Sequence, residues 1–253
     1  LIVAIGASSG GLEAITELLQ HLPPDTGMAF IFIQHLSPDY KSILTSLLAK
    51  STKMVVQEID DMERMNPDNI YVIPNDKGIE VTDGHIKLVP RRRNGPAMSI
   101  DVLFTSLAET HHEHAIGVIL SGNASDGTLG LKAIKAAGGV TFAQDNSARY
   151  HSMPDSAIKE GVADFILSPK EIALQLAAIS KHNSKRLKEI TEGVEISIDD
   201  NDPDLNKVLE YLHEGVGVDF GHYKMSTVKR RILRRMFFHK VSTIKQYAKL
   251  LKT

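Results

Sequence analysis

The chain has 253 residues, of which 42% are hydrophobic, enough to bury a full core in one large domain or two unequal ones. Its formal charge of −2 gives no overall attraction to nucleic acid or to an anionic membrane, so only a local basic cluster could serve such a partner. With no cysteine, disulfide and thiolate chemistry are excluded, and a reducing, cytoplasmic setting is expected.

Short apolar runs alternate with helical patterns along most of the chain. LIVAIG, MAFIFIQ, KMVVQEI, NIYVIP, AIGVIL, GVTFAQD and ADFIL read as strands, and helices are predicted over Leu12 to Leu22, Tyr40 to Lys50, Ser99 to His111 and Gly130 to Ala137. Strands apolar on both faces and separated by helices predict an α/β fold with a doubly wound parallel sheet. In such a sheet the ligand crevice lies beyond the carboxyl ends of the strands. The longest apolar runs, Met28 to Ile33 and Ala115 to Leu120, are far shorter than the ~20 residues of a membrane span, and no signal-peptide pattern precedes the first strand. The chain opens at Leu1 inside an apparent strand, as a piece of a longer protein would. After Lys181 a polar stretch, HNSKRLKEITEGVEISIDDNDPD, leads into a region helical to the end. These changes place a main domain at 1–182, a linker at 183–202 and a small all-helical domain at 203–253.

The first loop, in LIVAIGASSGGLEAI, admits a phosphate cradle or a nucleophile turn. Gly6 to Gly11 has Walker-type glycine spacing, but Leu12 and Glu13 stand where that loop needs lysine and a hydroxyl residue. A dinucleotide fingerprint fails because position 8 is serine. Gly6-Ala7-Ser8-Ser9-Gly10 does fit the Gly-x-Ser-x-Gly nucleophile elbow between a strand and a helix. The alternative is a glycine-serine turn that merely starts a helix.

A nucleophile needs a base, and His35 ends the apolar run Phe30 to Gln34, so it leaves the sheet at the same edge as Ser8. The cluster His111-His112-Glu113-His114 lacks the His-Glu-x-x-His spacing of a helical zinc site and reads as a solvated helix end. Two strand-end carboxylates, Asp126 and Asp145, qualify to orient the histidine, and position alone does not choose between them.

IGASSGG, IQHLSPDY, SIDVLF, GVILSGNASDG, AAGGVTFAQD and SMPDSAIKEGVAD, in this order, resemble the catalytic domain of the chemotaxis protein-glutamate methylesterase and glutamine deamidase family over about residues 1 to 180. The resemblance implies Ser8 as nucleophile, His35 as base and Asp126, rather than Asp145, as the orienting acid. It also places Ser9 and Asn123 at the active site, Asn123 through a backbone donor to the oxyanion. Members of that family usually carry methionine where Asn123 stands, a departure that bears on local packing and substrate fit, and often read Ala-Pro-Gly and then a histidine where this chain has Ile73-Pro74-Asn75, a departure that bears on the cleft rim. The implied activity is hydrolysis of glutamate γ-methyl esters, with glutamine deamidation, on the cytoplasmic helices of a chemoreceptor. It implies no metal and no organic cofactor. The competing class is a receptor-binding or regulatory module with a vestigial triad, against which the presence of all three triad residues argues.

The tail carries Lys224, Lys229, Arg230, Arg231, Arg234, Arg235 and Lys240 with no acid from 224 to 240. Val228, Ile232, Leu233, Met236 and Phe237 recur at helical spacing, leaving a basic face opposite an apolar one. No groove-reading motif accompanies the charge, so nucleic acid is not the expected partner. VGVDFGHYKMSTVKRRILRRM is similar to the N-terminal helical domain of the chemoreceptor methyltransferase family, over about residues 203 to 253. That resemblance implies a fragment of an esterase-methyltransferase fusion, without the S-adenosylmethionine domain or a preceding phosphoacceptor domain. Arg230, Arg231, Arg234 and Arg235 are then candidate contacts to the methylated receptor or to the missing methyltransferase domain.

Overall fold

A computed structural model describes residues 1–34, 43–74, 77–82, 84–90, 99–191, 198–199, 201–220, 223–238 and 241–252, with the backbone alone for 182–191, 216, 230, 234, 237 and 238. They form two compact units, Leu1–Arg186 and Leu187–Thr253.

In chain order the strands of the first unit are β1 (Ile2–Ala7), β2 (Ala29–Gln34), β3 (Val55–Glu58), β4 (Glu63–Arg64), β5 (Asn69–Val72), β6 (Lys77–Thr82), β7 (His85–Pro90), β8 (Ala115–Ile119), β9 (Val140–Gln144) and β10 (Phe165–Leu167). Its helices are α1 (Gly11–His21), α2 (Leu44–Leu48), α3 (Ser99–His111), α4 (Thr128–Ala136), α5 (Ser152–Lys159) and α6 (Pro169–Thr191). Seven strands make one parallel sheet in the order β10-β9-β8-β1-β2-β5-β3. They are the seven apolar runs of the sequence. Every residue of β1, β8 and β9 is buried, because helices cover both faces of the sheet and leave no polar side to alternate with. Phe30, Phe32, Tyr71, Phe104 and Phe142 fill the interior. Chain order reverses at β1, which pairs with β2 on one side and β8 on the other. A reversal of this kind opens a crevice at the carboxyl edge.

Helices α1, α3 and α4 fall where the helical periodicity places them. Only Leu44–Leu48 of the stretch Tyr40 to Lys50 is helical, and residues 40–42 lie outside those described. Three strands pass unread in the sequence: β4, β7 and β6 form a small antiparallel sheet. Ile79, Val81 and Ile86 are its buried residues, and the Val81 N–H donates to Ser106 Oγ on α3 at 3.0 Å. The last helix, α6, runs on to Thr191, so 183–191 continue a helix into the polar stretch.

The second unit packs α7 (Pro203–Val216), α8 (Met225–Phe238) and α9 (Ile244–Leu251) around Leu205, Val208, Val228, Ile232, Met236 and Tyr247. The i, i+4 spacing of Val228, Ile232 and Met236 puts all three on the inner face of α8. Each of its flanking helices starts locally. Asp202 accepts the Asp204 N–H at 2.9 Å with Pro203 at the first helical position, and Thr243 and Gln246 form a reciprocal capping box.

Candidate active site

The turn after β1 carries Ser8 on a short bend whose tightness comes from its neighbours. Gly10 sits at φ 73, in the left-handed region, and a Cβ there would meet Ser121 Oγ at 2.6 Å. The Ser8 N–H donates to the Ser121 carbonyl at 3.0 Å, and the Gly11 N–H donates to the Ser8 carbonyl at 3.0 Å. Gln34, the last residue of β2, donates from Nε2 to that same carbonyl at 3.2 Å. Ser8 is thereby fixed to both neighbouring strands at the point where chain order reverses.

Ser121 is the hub of this floor. Its Oγ donates to the Ser9 carbonyl at 2.8 Å and accepts the Tyr150 N–H at 3.0 Å, while its own N–H donates to the buried Gln144 Oε1 at 2.9 Å. The loop beyond it, Gly122 to Gly127, bends back over the turn. A Cβ at Gly122 would lie 2.2 Å from Met153 Sδ and 2.9 Å from Ser8 Cβ, so only glycine permits this approach. Ala124 holds φ 69 without being glycine, a conformation that costs ~1 to 2 kcal/mol and is tolerated where the surroundings dictate it. Asn123 is exposed, and its Nδ2 donates to Ser9 Oγ at 3.1 Å. Among the described residues, the backbone N–H groups of Ser9 and Asn123 have no hydrogen-bond acceptor. Two free donors on facing loops are what an oxyanion requires.

Asp126 is 3% exposed and accepts two backbone N–H groups, Ile100 at 3.0 Å and Asp101 at 2.9 Å. These are the second and third residues of α3, so a carboxylate remote in sequence caps that helix and sits in its favourable field. Asp101 returns the arrangement by accepting the Gly130 N–H in the first turn of α4 at 2.7 Å. Burial pushes the Asp101 carboxyl up to about 6; the Gly130 and Gly127 N–H groups oppose this, and the nearby Asp126 charge adds to it.

The sequence-derived residues thus have distinct fates. Ser8, Ser9 and Asn123 come together on two facing loops, and Asp126 lies in the loop that carries Asn123. His35 lies outside the described residues, directly after Gln34. Asp145 is half-buried and accepts the Ser147 N–H at 3.0 Å within its own turn. His111 to His114 lie at the end of α3 that leads into the amino end of β8, and among the described residues no three His, Asp or Glu side chains converge as metal ligands. On α8, Arg231 is exposed, whereas Arg235 is half-buried and its charge acts on the Tyr247 hydroxyl, which burial pushes up and Arg235 pulls down. The side chains of Arg230 and Arg234 lie outside the description.

Sequence reasoning passes over Gln34, Asp101, Ser121 and Gln144. Three of them carry a readable signal, a polar residue at the carboxyl end of an otherwise apolar strand in AFIFIQ, AIGVILS and VTFAQ. Beside this floor lies a cleft of about 620 Å³ whose lining includes Asn123, Arg149, Tyr150, His151 and Lys159.

Residues 3–176 match the CheB methylesterase family, and residues 203–253 match the all-alpha domain of CheR methyltransferases. A protein-glutamate methylesterase/protein-glutamine glutaminase of Yersinia pestis is 36% identical over 193 residues, covering 74% of this chain and 55% of that protein. The Escherichia coli K12 protein of the same name is 34% identical, over 70% of this chain and 52% of its own length. This chain therefore spans about half the length of these curated relatives. An uncharacterized 104.1 kDa protein of Rhodobacter capsulatus is 35% identical over 82% of this chain and 24% of its own length, reaching further along this chain. The crystal structure of the Thermotoga maritima CheB methylesterase catalytic domain superposes with a TM-score of 0.64 at 28% identity, covering 70% of this chain and 97% of that one. The family model spans most of the first unit and the solved catalytic domain shares its sheet: this chain belongs to the CheB methylesterases, and it continues into a CheR-type all-alpha domain.

Proposed function

We propose that the first unit is a serine hydrolase that cleaves glutamate γ-methyl esters on the cytoplasmic helices of a chemoreceptor, and deamidates glutamine at the same positions. The observation that carries this reading is the meeting, at the reversal point of the sheet, of the Ser8 elbow with a loop that holds both a free Asn123 N–H and the buried, doubly hydrogen-bonded Asp126. His35 takes the Ser8 proton as Oγ attacks the ester carbonyl, and the N–H groups of Ser9 and Asn123 receive the oxyanion. Asp126 holds the imidazole in the tautomer that can accept a proton. The carbon–oxygen bond to methanol breaks with the proton returned from His35. Water, deprotonated by His35, then cleaves the acyl-serine and leaves glutamate. A glutamine side chain passes through the same acyl-serine and releases ammonia.

The cleft beside Asn123, with Arg149 and Lys159 on its wall, is suited to polar side chains that flank the ester on its helix. The basic side chains of α8 are read as a second, weaker contact to the same acidic segments. The test is methanol release from a methylated receptor fragment by the chain and by Ser8→Ala, alongside labelling by a serine-directed phosphonate. Release and labelling by the parent, both abolished in Ser8→Ala, are expected; a parent that binds the fragment but neither releases methanol nor labels would make this a binding module.

A further inference from the structure

The mechanism leaves one buried ionisable group unused. Asp101 is 7% exposed, its Oδ1 accepts the Gly130 N–H at 2.7 Å, and its Oδ2 is buried with no hydrogen-bond partner among the described residues. Its backbone N–H simultaneously holds Asp126 Oδ1 at 2.9 Å. Each of the two acids therefore sits on the first turn of a helix, and each helix start lies beside the other acid. An unpartnered, buried carboxyl oxygen is costly unless it carries or shares a proton. On the helices and strands packed around α3, the other titratable and charged residues are Lys77 and Glu80 on β6, Lys132 and Lys135 on α4, and, at the far end, Glu109 and His111 of α3 itself with His112, Glu113 and His114 on the short turn that follows it. Among the described residues, Asp126 is the one charged group that acts on Asp101.

We propose that Asp101 is a positioning residue that acts through Asp126: the two carboxyls form a pair clasped between the starts of α3 and α4, Asp126 held by the Asp101 main-chain N–H and the Asp101 carboxyl tied to the Gly130 N–H. This rests on the reading of Asp126 as the acid that orients His35. When the Asp101 carboxyl ionises, its charge favours the imidazolium formed during acyl transfer, so Asp101 sets both the place of Asp126 and the charge behind it.

The test is the pH dependence of kcat/KM between pH 5 and 9, on a helical peptide carrying a glutamate γ-methyl ester, for the parent, Asp101→Asn, Asp101→Ala and Asp126→Asn. Asparagine keeps the acceptor for Gly130 and removes the charge that Asp101 can gain. Its acid limb should follow a single ionisation and move toward lower pH by about one unit, because one charge at a partly buried site changes a neighbouring proton affinity about tenfold. Its kcat on the plateau should fall about threefold to tenfold with KM unchanged. Alanine also removes the tie to α4 and should fall about tenfold further. An Asp101→Asn profile that superimposes on the parent's overturns the proposal. Loss of activity in Asp126→Asn together with that superposition overturns this proposal alone, whereas full activity in Asp126→Asn overturns the triad reading beneath it. Should the variants fail to fold, the carboxyl carbon resonance of Asp101 in the parent decides: a midpoint near 6 supports the pair, and one in the ordinary carboxylate range overturns it.

Discussion

The helices around the site begin differently from those of the helical unit, although α6 of the sheet unit, far from the Ser8 turn in sequence, has a local cap in Ser168 and Glu171. In the helical unit, α7 and α9 are capped by the residues just before them, Asp202 and Thr243. In the sheet unit, α1 and α4 start at the left-handed glycines Gly10 and Gly127, which offer no side-chain cap, and α3 and α4 receive acceptors from 25 to 29 residues away. A local cap tells the chain where to start a helix. A remote cap does that and also fixes two distant segments to each other, which is how a carboxylate can be held beside a nucleophile from another strand. Capping of α7 and α9 thus serves stability alone, whereas capping of α3 and α4 also joins the segments of the candidate site.

This contrast is broken most severely at Ser8, the proposed nucleophile. Ser8→Ala should lower kcat by about 10⁶-fold, as in other serine hydrolases, while Ser9→Ala should leave measurable turnover; steady-state methanol release from both folded variants decides. Asp126→Asn comes next, with an expected loss of about 10⁴-fold, while Asp145→Asn, whose carboxyl serves its own turn, should stay close to the parent. A reversed order in that pair would reassign the orienting acid. Gly122→Ala forces a Cβ against Met153 and Ser8, and a displacement of about 1 Å at the nucleophile should cost roughly 100-fold in kcat, read in the same assay.

Effects in the helical unit should be smaller and of another kind. Replacing Arg230, Arg231 and Arg234 with glutamate should weaken receptor-fragment binding roughly tenfold and flatten its salt dependence, with hydrolysis of a small activated ester unchanged. Arg235 is left intact there because it is half-buried near Tyr247. Identical affinities and salt slopes in parent and variant would return that helix to a solvated face. Smallest of all, Thr243→Ala should remove about 1 kcal/mol of the helical unit's stability in denaturant without altering turnover, since it breaks a local cap and nothing else.

All seven strands of the parallel sheet are legible in the sequence: in the central strands β1, β8 and β9 burial on both faces produces apolar runs, and the edge strands β3 and β10, partly exposed, still carry the β-branched and aromatic residues Val55, Val56, Phe165 and Ile166. The small antiparallel sheet escapes for the complementary reason. In KGIEVTDGHIKLVP only alternate residues are apolar, and a short alternating hairpin blends into its polar surroundings unless Asp83-Gly84 is taken as its turn. In the site, Ser8 announces itself through the glycines its sharp turn needs. Periodicity and strand position left Asp126 and Asp145 equal, and the resemblance, not the spacing, preferred the first. What separates them physically is the pair of α3 N–H groups that only Asp126 receives, a long-range contact with no local pattern. Asp101 is hidden for the same reason: an acid in the first turn of a helix is commonplace, and its inward orientation toward α4 leaves no trace in sequence.

Around Ser8 the glycines at 10 and 122 leave no space for even a methyl group, whereas Asn123 and its neighbour Ala124 face solvent at the mouth. Inherited variation should therefore be channelled. On the proposed function, changes beneath the serine are eliminated with the chemistry, while changes at Asn123 and along the wall from Arg149 to Lys159 can accumulate and retune which substrate segment is accepted. A lineage with this architecture would then exchange recognition residues one at a time, following a diverging substrate over a reaction centre that stays the same.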